Sequence, residues 1–401
     1  MAKEITIKSF NSSGVYIKNI NDATFDSFTK AINGGLSELT IRLARAIDNF
    51  NSAGDVTIGN KIEVWIYDED TGMAGVKIYT GFVEQQNPII DGNDRYVEIV
   101  CYSMVAKIKN DILKDSAQTK LYTKATDGLT VTFADIAAAE ISDIVKSIID
   151  KFNAVNTAFN LFYNTNGVST VQTTGNNMMF QFEAMTYFEA IEKCREVAPQ
   201  NWHWIINASD EIEFKPISGA ADHTFVLNKD IKSLRASKTA DGIKNILLLW
   251  CNKADGGTPA GPLYKQYKDD ASISLYGRRV EKTIDHSIYD ETTMDNIGNS
   301  FVNENKEPKI RLEIEIIDNN ENDKGYNIEN IDPGDTCRIV GLDVDGITFG
   351  ENMIIKEVDY RLTSVKLVIE TENNFDMQKF ILNLSKDLLV TQSENMPESY
   401  T

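Results

Sequence analysis

Along residues 3–110 apolar and polar side chains alternate in short runs. EITIKSF, GVYIKNI, KIEVWIY, GVKIYTGFVEQ and RYVEIVCYSM place apolar residues at every second position, the period of a strand with one buried face. The turn formers NSSG, DEDTG and DGND separate them. In NGGLSELTIRLARAIDNF the two glycines predict a bend ahead of a strand over 37–45. Short antiparallel strands at this spacing predict a barrel or sandwich.

The period changes near residue 130. FADIAAAEISDIVKSIIDKFN puts Ile136, Ile141, Ile144, Ile148 and Phe152 on one helical stripe, with Asp135 as N-cap. AMTYFEAIEKCREVAP puts Phe188, Ile191, Cys194 and Ala198 on another, stopped by Pro199. NWHWIINASDEIEFKPI then predicts a hairpin turning at NASDE. Trp202 and Trp204 share one face of it, and His203 lies on the opposite face toward solvent or an interface. After residue 235 the pattern predicts a strand in GIKNILLLWCNK, a Gly/Pro-rich surface loop at 254–262, and strand again in ASISLYGRRVEKTID. A helix over 290–304 is ended by Pro308. Strands follow in KIRLEIEII, ITFGENMIIKEVDYRL and SVKLVIET, and FDMQKFILNLSKDLLV forms a closing helix.

Two stretches far apart share one grammar. In IDPGDTCRIV, Gly334 and Asp335 form a turn that feeds a strand with Cys337 and Ile339 on one face. In IGNKIEVWIY, Gly59 and Asn60 precede Ile62, Val64 and Ile66 in the same way. Each stretch is followed by turn, strand, turn, strand: YTGFVEQ and YVEIVCY in the first, GENMIIKEVDY and SVKLVIE in the second. The pattern predicts one module used twice. The expected fold is mainly β with an α+β insert. The first β-barrel spans 1–115, the α+β domain 116–234 and a related second barrel 235–372, with a C-terminal helix and tail over 373–401.

Bulk properties narrow the function. The formal net charge is −20, from 60 acidic and 40 basic residues. That balance opposes sequence-independent nucleic-acid binding, which needs clustered Lys and Arg, and opposes attraction to anionic membranes. No apolar run reaches the about 18–20 residues that span a bilayer. The polar, alternating N-terminus lacks a signal-peptide core, so neither export by that route nor stable membrane insertion is expected. Cys101, Cys194, Cys251 and Cys337 are widely separated, which predicts four reduced, buried thiols.

Candidate chemistry is sparse. His203, His223 and His286 are the only histidines, and no HExxH, GxSxG or Gly-rich phosphate loop occurs. In DNNENDKGYNIE, Asp318, Asn320, Asn322 and Glu329 match a calcium loop's spacing. Asp323 occupies its glycine position, however, and a strand precedes it, so the stretch is expected to be a solvated hairpin tip. No catalytic, cofactor or metal residue is assigned, no cofactor is expected, and the chain is expected not to be an enzyme.

Three segments carry a family resemblance: GNKIEVWI…YTGFVEQ…YVEIVCYS at 59–103, TYFEAIEKCREVAPQNWHWIINASDEIEFKPI at 186–217 and PGDTCRIV…MIIKEVDYRLTSVKLVIE at 333–370. They resemble the baseplate hubs of tailed bacteriophages, and in siphophages the N-terminal hub region of the tail-associated lysin, within the minor tail proteins. The resemblance covers most of 35–370. It implies a homotrimer at the virion tail tip, made in the host cytoplasm, whose six barrels form a pseudo-sixfold ring. Such a ring joins distal tail or tail-tube proteins above to a fibre or spike below, and passes the tape-measure protein and, in transit, viral DNA. The alternatives are a peptidoglycan hydrolase of the tail tip, and a receptor- or carbohydrate-binding tail protein whose Trp202/Trp204 face stacks sugars.

Overall fold

The computed structural model describes residues 4–371, apart from 36, 46–49, 69–72, 92–93, 126–127, 158, 166, 228, 256–257, 319–325, 341–347 and 362. The described residues fall into two compact units. One draws on Ala2–Pro216 and Ala240–Pro308, the other on Ile217–Thr239 and Lys309–Thr401. The closing helix expected beyond residue 372 lies outside the described residues.

In the first unit the alternating runs become β1 (Glu4–Phe10), β2 (Tyr16–Asn19), β3 (Ala23–Ala31), β4 (Glu38–Leu43), β5 (Lys61–Asp68), β6 (Met73–Asp91) and β7 (Asp94–Tyr102). They pair antiparallel in the order β3-β4-β7-β6-β5-β1-β2. Leu39, Ile41 and Leu43 of β4 stand opposite Cys101, Ile99 and Val97 of β7, and all six are fully buried. Each such aliphatic side chain contributes about 1.5–3 kcal/mol by leaving water. The loop between β4 and β5 is tied by ions. Arg45 donates to both Asp55 oxygens (3.0 and 2.8 Å), to Asp22 (2.9 Å) and to the Phe50 carbonyl (2.8 Å). Lys18 reaches the fully buried Asp55 carboxylate at 3.1 Å.

An α+β layer follows: α1 (Met104–Asn110), β8 (Lys120–Lys124), β9 (Gly128–Thr130), β10 (Ala139–Glu140), α2 (Ile141–Val155), β11 (Asn164–Thr165), β12 (Val168–Ser169), β13 (Asn177–Met178), β14 (Gln181–Glu183), α3 (Tyr187–Val197), β15 (Trp202–Ile206) and β16 (Ile212–Pro216). The sequence pattern starts α2 at Asp135, but that residue closes a single 3-10 turn. Glu140 is the N-cap instead. Its carboxylate accepts from the Ser142 amide (2.6 Å) and from the Thr174 amide and hydroxyl (2.7 Å each). Thr186 and Glu189 form a reciprocal capping box at α3, and Ala190, Ile191, Cys194 and Val197 are its buried stripe.

Residues 240–308 form β19 (Ile246–Asp255), β20 (Thr258–Lys268), α4 (Asp270–Tyr276), β21 (Val280–Asp285) and α5 (Glu291–Asn305). The Gly/Pro-rich loop expected at 254–262 is in large part strand. Pro259 and Pro262 pair with Ala254 and Asn252 in β20, an edge strand, where a missing N–H is tolerated. ASISLY is helix rather than strand: Asp269 caps α4, accepting from the Ser272 amide at 2.8 Å, and Gly277 (φ 74°) ends it. Leu247, Leu249 and Cys251 share one core with Ile144 and Ile148 of α2, Ile191 of α3 and Met294 of α5. This segment therefore packs with the α+β layer, whereas the sequence pattern kept it inside the second β block.

The second unit holds β17 (His223–Val226), β18 (Ile231–Thr239), β22 (Lys309–Ile317), β23 (Thr336–Val340), β24 (Thr348–Arg361) and β25 (Ser364–Thr371). Its pairing order is β18-β22-β25-β24-β23-β17, antiparallel except for the parallel β17–β23 pair. Among the described residues, no pairing within either unit closes its path into the expected barrel.

The NGG bend seats the aromatic hairpin on the first β block. The Asn33 amide donates to the Trp204 carbonyl at 2.8 Å, and the Trp204 amide donates to the Asn33 side chain at 3.2 Å. Gly34 (φ 69°) lies beneath two rings: an added Cβ would sit 2.3 Å from Phe188 and 2.5 Å from Trp204. Gly34→Ala is expected to cost about 2–4 kcal/mol, from strain plus overpacking, in urea unfolding. The Arg45 cluster gives a second expectation. The Arg45 hydrogen bond holds the Asp22 carboxyl below its ordinary value. Burial pushes Asp55 up, but hydrogen bonds from Arg45 and Lys18 outweigh it, so Asp55 also titrates low. Groups with depressed folded values stabilise above their ordinary pKa of 3.8 and lose that contribution as pH falls through the folded value. Arg45→Gln should cost about 2–3 kcal/mol at pH 7, with the gap to wild type narrowing below about pH 4.

Candidate functional site

The two Gly-Asx turns have the same backbone construction. Gly59 has φ 89° and Gly334 φ 94°, the left-handed region where a side chain is strained. The Gly59 amide donates to the Val83 carbonyl (2.8 Å), and the Val83 amide donates back to the Asn60 carbonyl (2.9 Å). The Gly334 amide donates to the Ile355 carbonyl (2.8 Å), and the Ile355 amide donates back to the Asp335 carbonyl (2.9 Å). Directly after each acceptor the register shifts: between Val83 and Gln85 in the β6–β7 pair, and between Ile355 and Glu357 in the β24–β25 pair.

The correspondence extends through the core. Leu39, Ile41 and Leu43 oppose Cys101, Ile99 and Val97 in one block; Leu312, Ile314 and Ile316 oppose Ile369, Leu367 and Val365 in the other. Ile62 and Val64 have their counterparts in Cys337 and Ile339, and all four are fully buried. The blocks differ at the end of the path, where β1 runs antiparallel to β5 and β17 parallel to β23.

They also differ in the side chains around the turn. Asn60 donates to the Gly54 carbonyl at 2.7 Å. In the second block, Asp335 contacts His223 Nε2 at 2.9 Å, and His223 Nδ1 lies 3.0 Å from the Tyr326 hydroxyl. The Asp222 carboxylate accepts from the Thr336 amide (2.8 Å) and hydroxyl (2.9 Å). His223 thus fastens β17 to the turn, a contact that spacing alone does not reveal because the partners are far apart in the chain.

The NASDE tip docks on the first β block. Asp210, buried with φ 59°, accepts from Lys61 at 3.2 Å, and the Thr80 hydroxyl donates to the Ala208 carbonyl at 2.6 Å. Burial pushes the Asp210 carboxyl up, and the Lys61 charge offsets part of that. Burial pulls Lys61 down, but Asp210 and Glu63 outweigh it and hold the ammonium charged.

Trp204 is fully buried, its indole N–H donating to Glu192, while Trp202 is half-buried against Phe214. The pair therefore presents no open sugar-stacking face. His203 is buried, not solvent-facing, because the hairpin's second face also packs. His286 lies beside Asn252 at 3.3 Å. All four cysteines are free and buried; burial pushes the Cys251 thiol up to about 11 and the other three higher. Most of the 318–329 stretch lies outside the described residues, and among those described no cluster of His, Cys, Asp or Glu could hold a metal. No described helix is long and apolar enough to cross a membrane.

No family model matches the chain, and no curated protein does. Solved structures match over nearly its whole length. A tail protein from Neisseria meningitidis MC58 superposes with TM-score 0.59 at 10% identity, covering 94% of this chain and 98% of that one. The 43 kDa tail protein of prophage MuSo2 from Shewanella oneidensis gives 0.57 at 11%, covering 93% and 100%. Prophage tail protein gp18 from Listeria monocytogenes EGD-e gives 0.51 at 11%, covering 96% and 99%. At these identities the likeness is one of fold: the chain has the fold of prophage tail proteins.

Proposed function

We propose that the chain is a structural hub of a phage or phage-like tail tip. Three copies form a ring to which each contributes two related β blocks, so that three chains imitate sixfold symmetry toward a tail tube and present threefold symmetry to a fibre or spike. Distal tail or tail-tube proteins are the partners above, and the tape-measure protein and viral DNA pass through the centre. The observation that carries this reading is the repeated Gly-Asx turn with its reciprocal hydrogen bonds and adjacent bulge. A closed ring needs complementary surfaces at each contact, and two similar blocks supply them twice per chain.

The fold shared end to end with tail proteins supports the same reading. The hub works by assembly, without covalent chemistry. The buried Trp204 and His203 sit in the core that a structural role requires, and neither is placed to meet a substrate.

Light scattering across a concentration series is expected to give a species of three times 44.9 kDa. Negative-stain images of that species should show six lobes. A mass that settles on two or four copies, or three-lobed particles without sixfold outline, would overturn the ring.

A further inference from the structure

The three-stranded sheet β20-β19-β21 has two unlike faces. Its inner face, with Leu247, Leu249 and Cys251, packs in the core with α5. Its outer face carries a row across the strands: Tyr264 pairs with Trp250, and Trp250 with Ile284. Tyr264 and Ile284 are 48% and 54% exposed. Val280 on β21 is 44% exposed and Leu275, on α4 leading into that strand, 74%. These are four of the thirteen large hydrophobic residues that stand exposed among those described. The Trp250 and Tyr264 rings lie 4.6 Å apart, and Lys282 stands over the Trp250 ring at 5.2 Å.

The charge of this face departs from that of the chain. The outward positions from Leu248 to Asn252 on β19, Tyr264 to Lys268 on β20 and Val280 to Ile284 on β21 hold no carboxylate and two lysines, of which Lys268 pairs with Asp270 at 2.9 Å at the sheet's end. The chain as a whole has 60 acidic side chains against 40 basic ones. A row of Trp, Tyr and aliphatic side chains, depleted of acids and carrying Lys282 over its Trp ring, has the composition of an interface centre. Its complement is an acidic surface with apolar contacts, and another copy of this acidic chain supplies one.

We infer that the outer face of β20-β19-β21 is a subunit contact, covered by an acidic surface of a second copy of this chain. The inference rests on the proposed self-assembly and adds to the contacts of the β blocks a further face, outside both of them. Oligomeric mass is measured for the full chain and for the Ile284→Glu, Tyr264→Glu and Lys282→Glu variants, with Val168→Glu, a change at a 69% exposed position of β12 outside both β blocks, as control. Each variant is checked for an unchanged circular dichroism spectrum. Dissociation constants at least about tenfold weaker for the three face variants, with Val168→Glu unchanged, are expected. Lys282→Glu should be the most salt-sensitive, because it sets like charges against each other. Folded face variants that keep the wild-type mass would overturn the face while leaving the ring standing. A wild-type chain that stays monomeric at every concentration, or that binds a glycan or another tail protein through this face in its place, would overturn self-docking.

Discussion

Each of the two β blocks is organised around a pair of backbone hydrogen bonds between a Gly-Asx turn and a bulged strand. A strand that begins after a tight turn leaves its first amide and carbonyl without a ladder partner. Here the neighbouring strand reaches over and satisfies both at Val83 and again at Ile355. The extra residue beyond each contact shifts the register at that point, a bulge of the kind that bends a strand. The glycine is required because its φ lies near 90°. The Asx side chain is free to diverge, and it has: Asn60 closes a local loop, while Asp335 holds a histidine.

The remaining polar groups in these cores follow from the need to leave no buried charge alone. Asp55 is fully buried and carries Arg45 and Lys18; Asp210 is buried and carries Lys61. Both sites pin loops to sheets: Arg45 holds the approach to β5, and Asp210 holds the tip of the aromatic hairpin. These are anchoring ions, and their perturbed titration follows from burial and from the charges they pair with.

Period-two runs were legible in the sequence because each β block buries one face, and so was the repeat, because Gly334 and Gly59 are forced by backbone geometry. The capping box of α3 and the stop at Pro199 follow from local chemistry. What could not be read was decided by distant partners. Glu140 displaced Asp135 as a cap because Thr174 approaches it. Pro259 and Pro262 read as loop formers, yet an edge strand accepts them. His203 seemed outward because alternation assumes one wet face, and the hairpin has none at that point. The assignment of 240–308 failed for a related reason: apolar strands look alike whichever core they enter.

The second β block is interrupted in the chain, and that affects the order in which the protein can be built. The first block's strands are consecutive, so synthesis delivers all of them before the α+β layer emerges. In the second, Leu234 of β18 must wait for Ile314 of β22, and His223 of β17 for Cys337 of β23. During translation β17 and β18 emerge as edges without their partners, a state prone to wrong pairing with other nascent chains. The polar composition of β18, with Lys232, Ser233, Arg235, Ser237 and Lys238, gives that waiting strand a charged guard. The block that matures last is thus the one whose exposed template is protected by its own sequence.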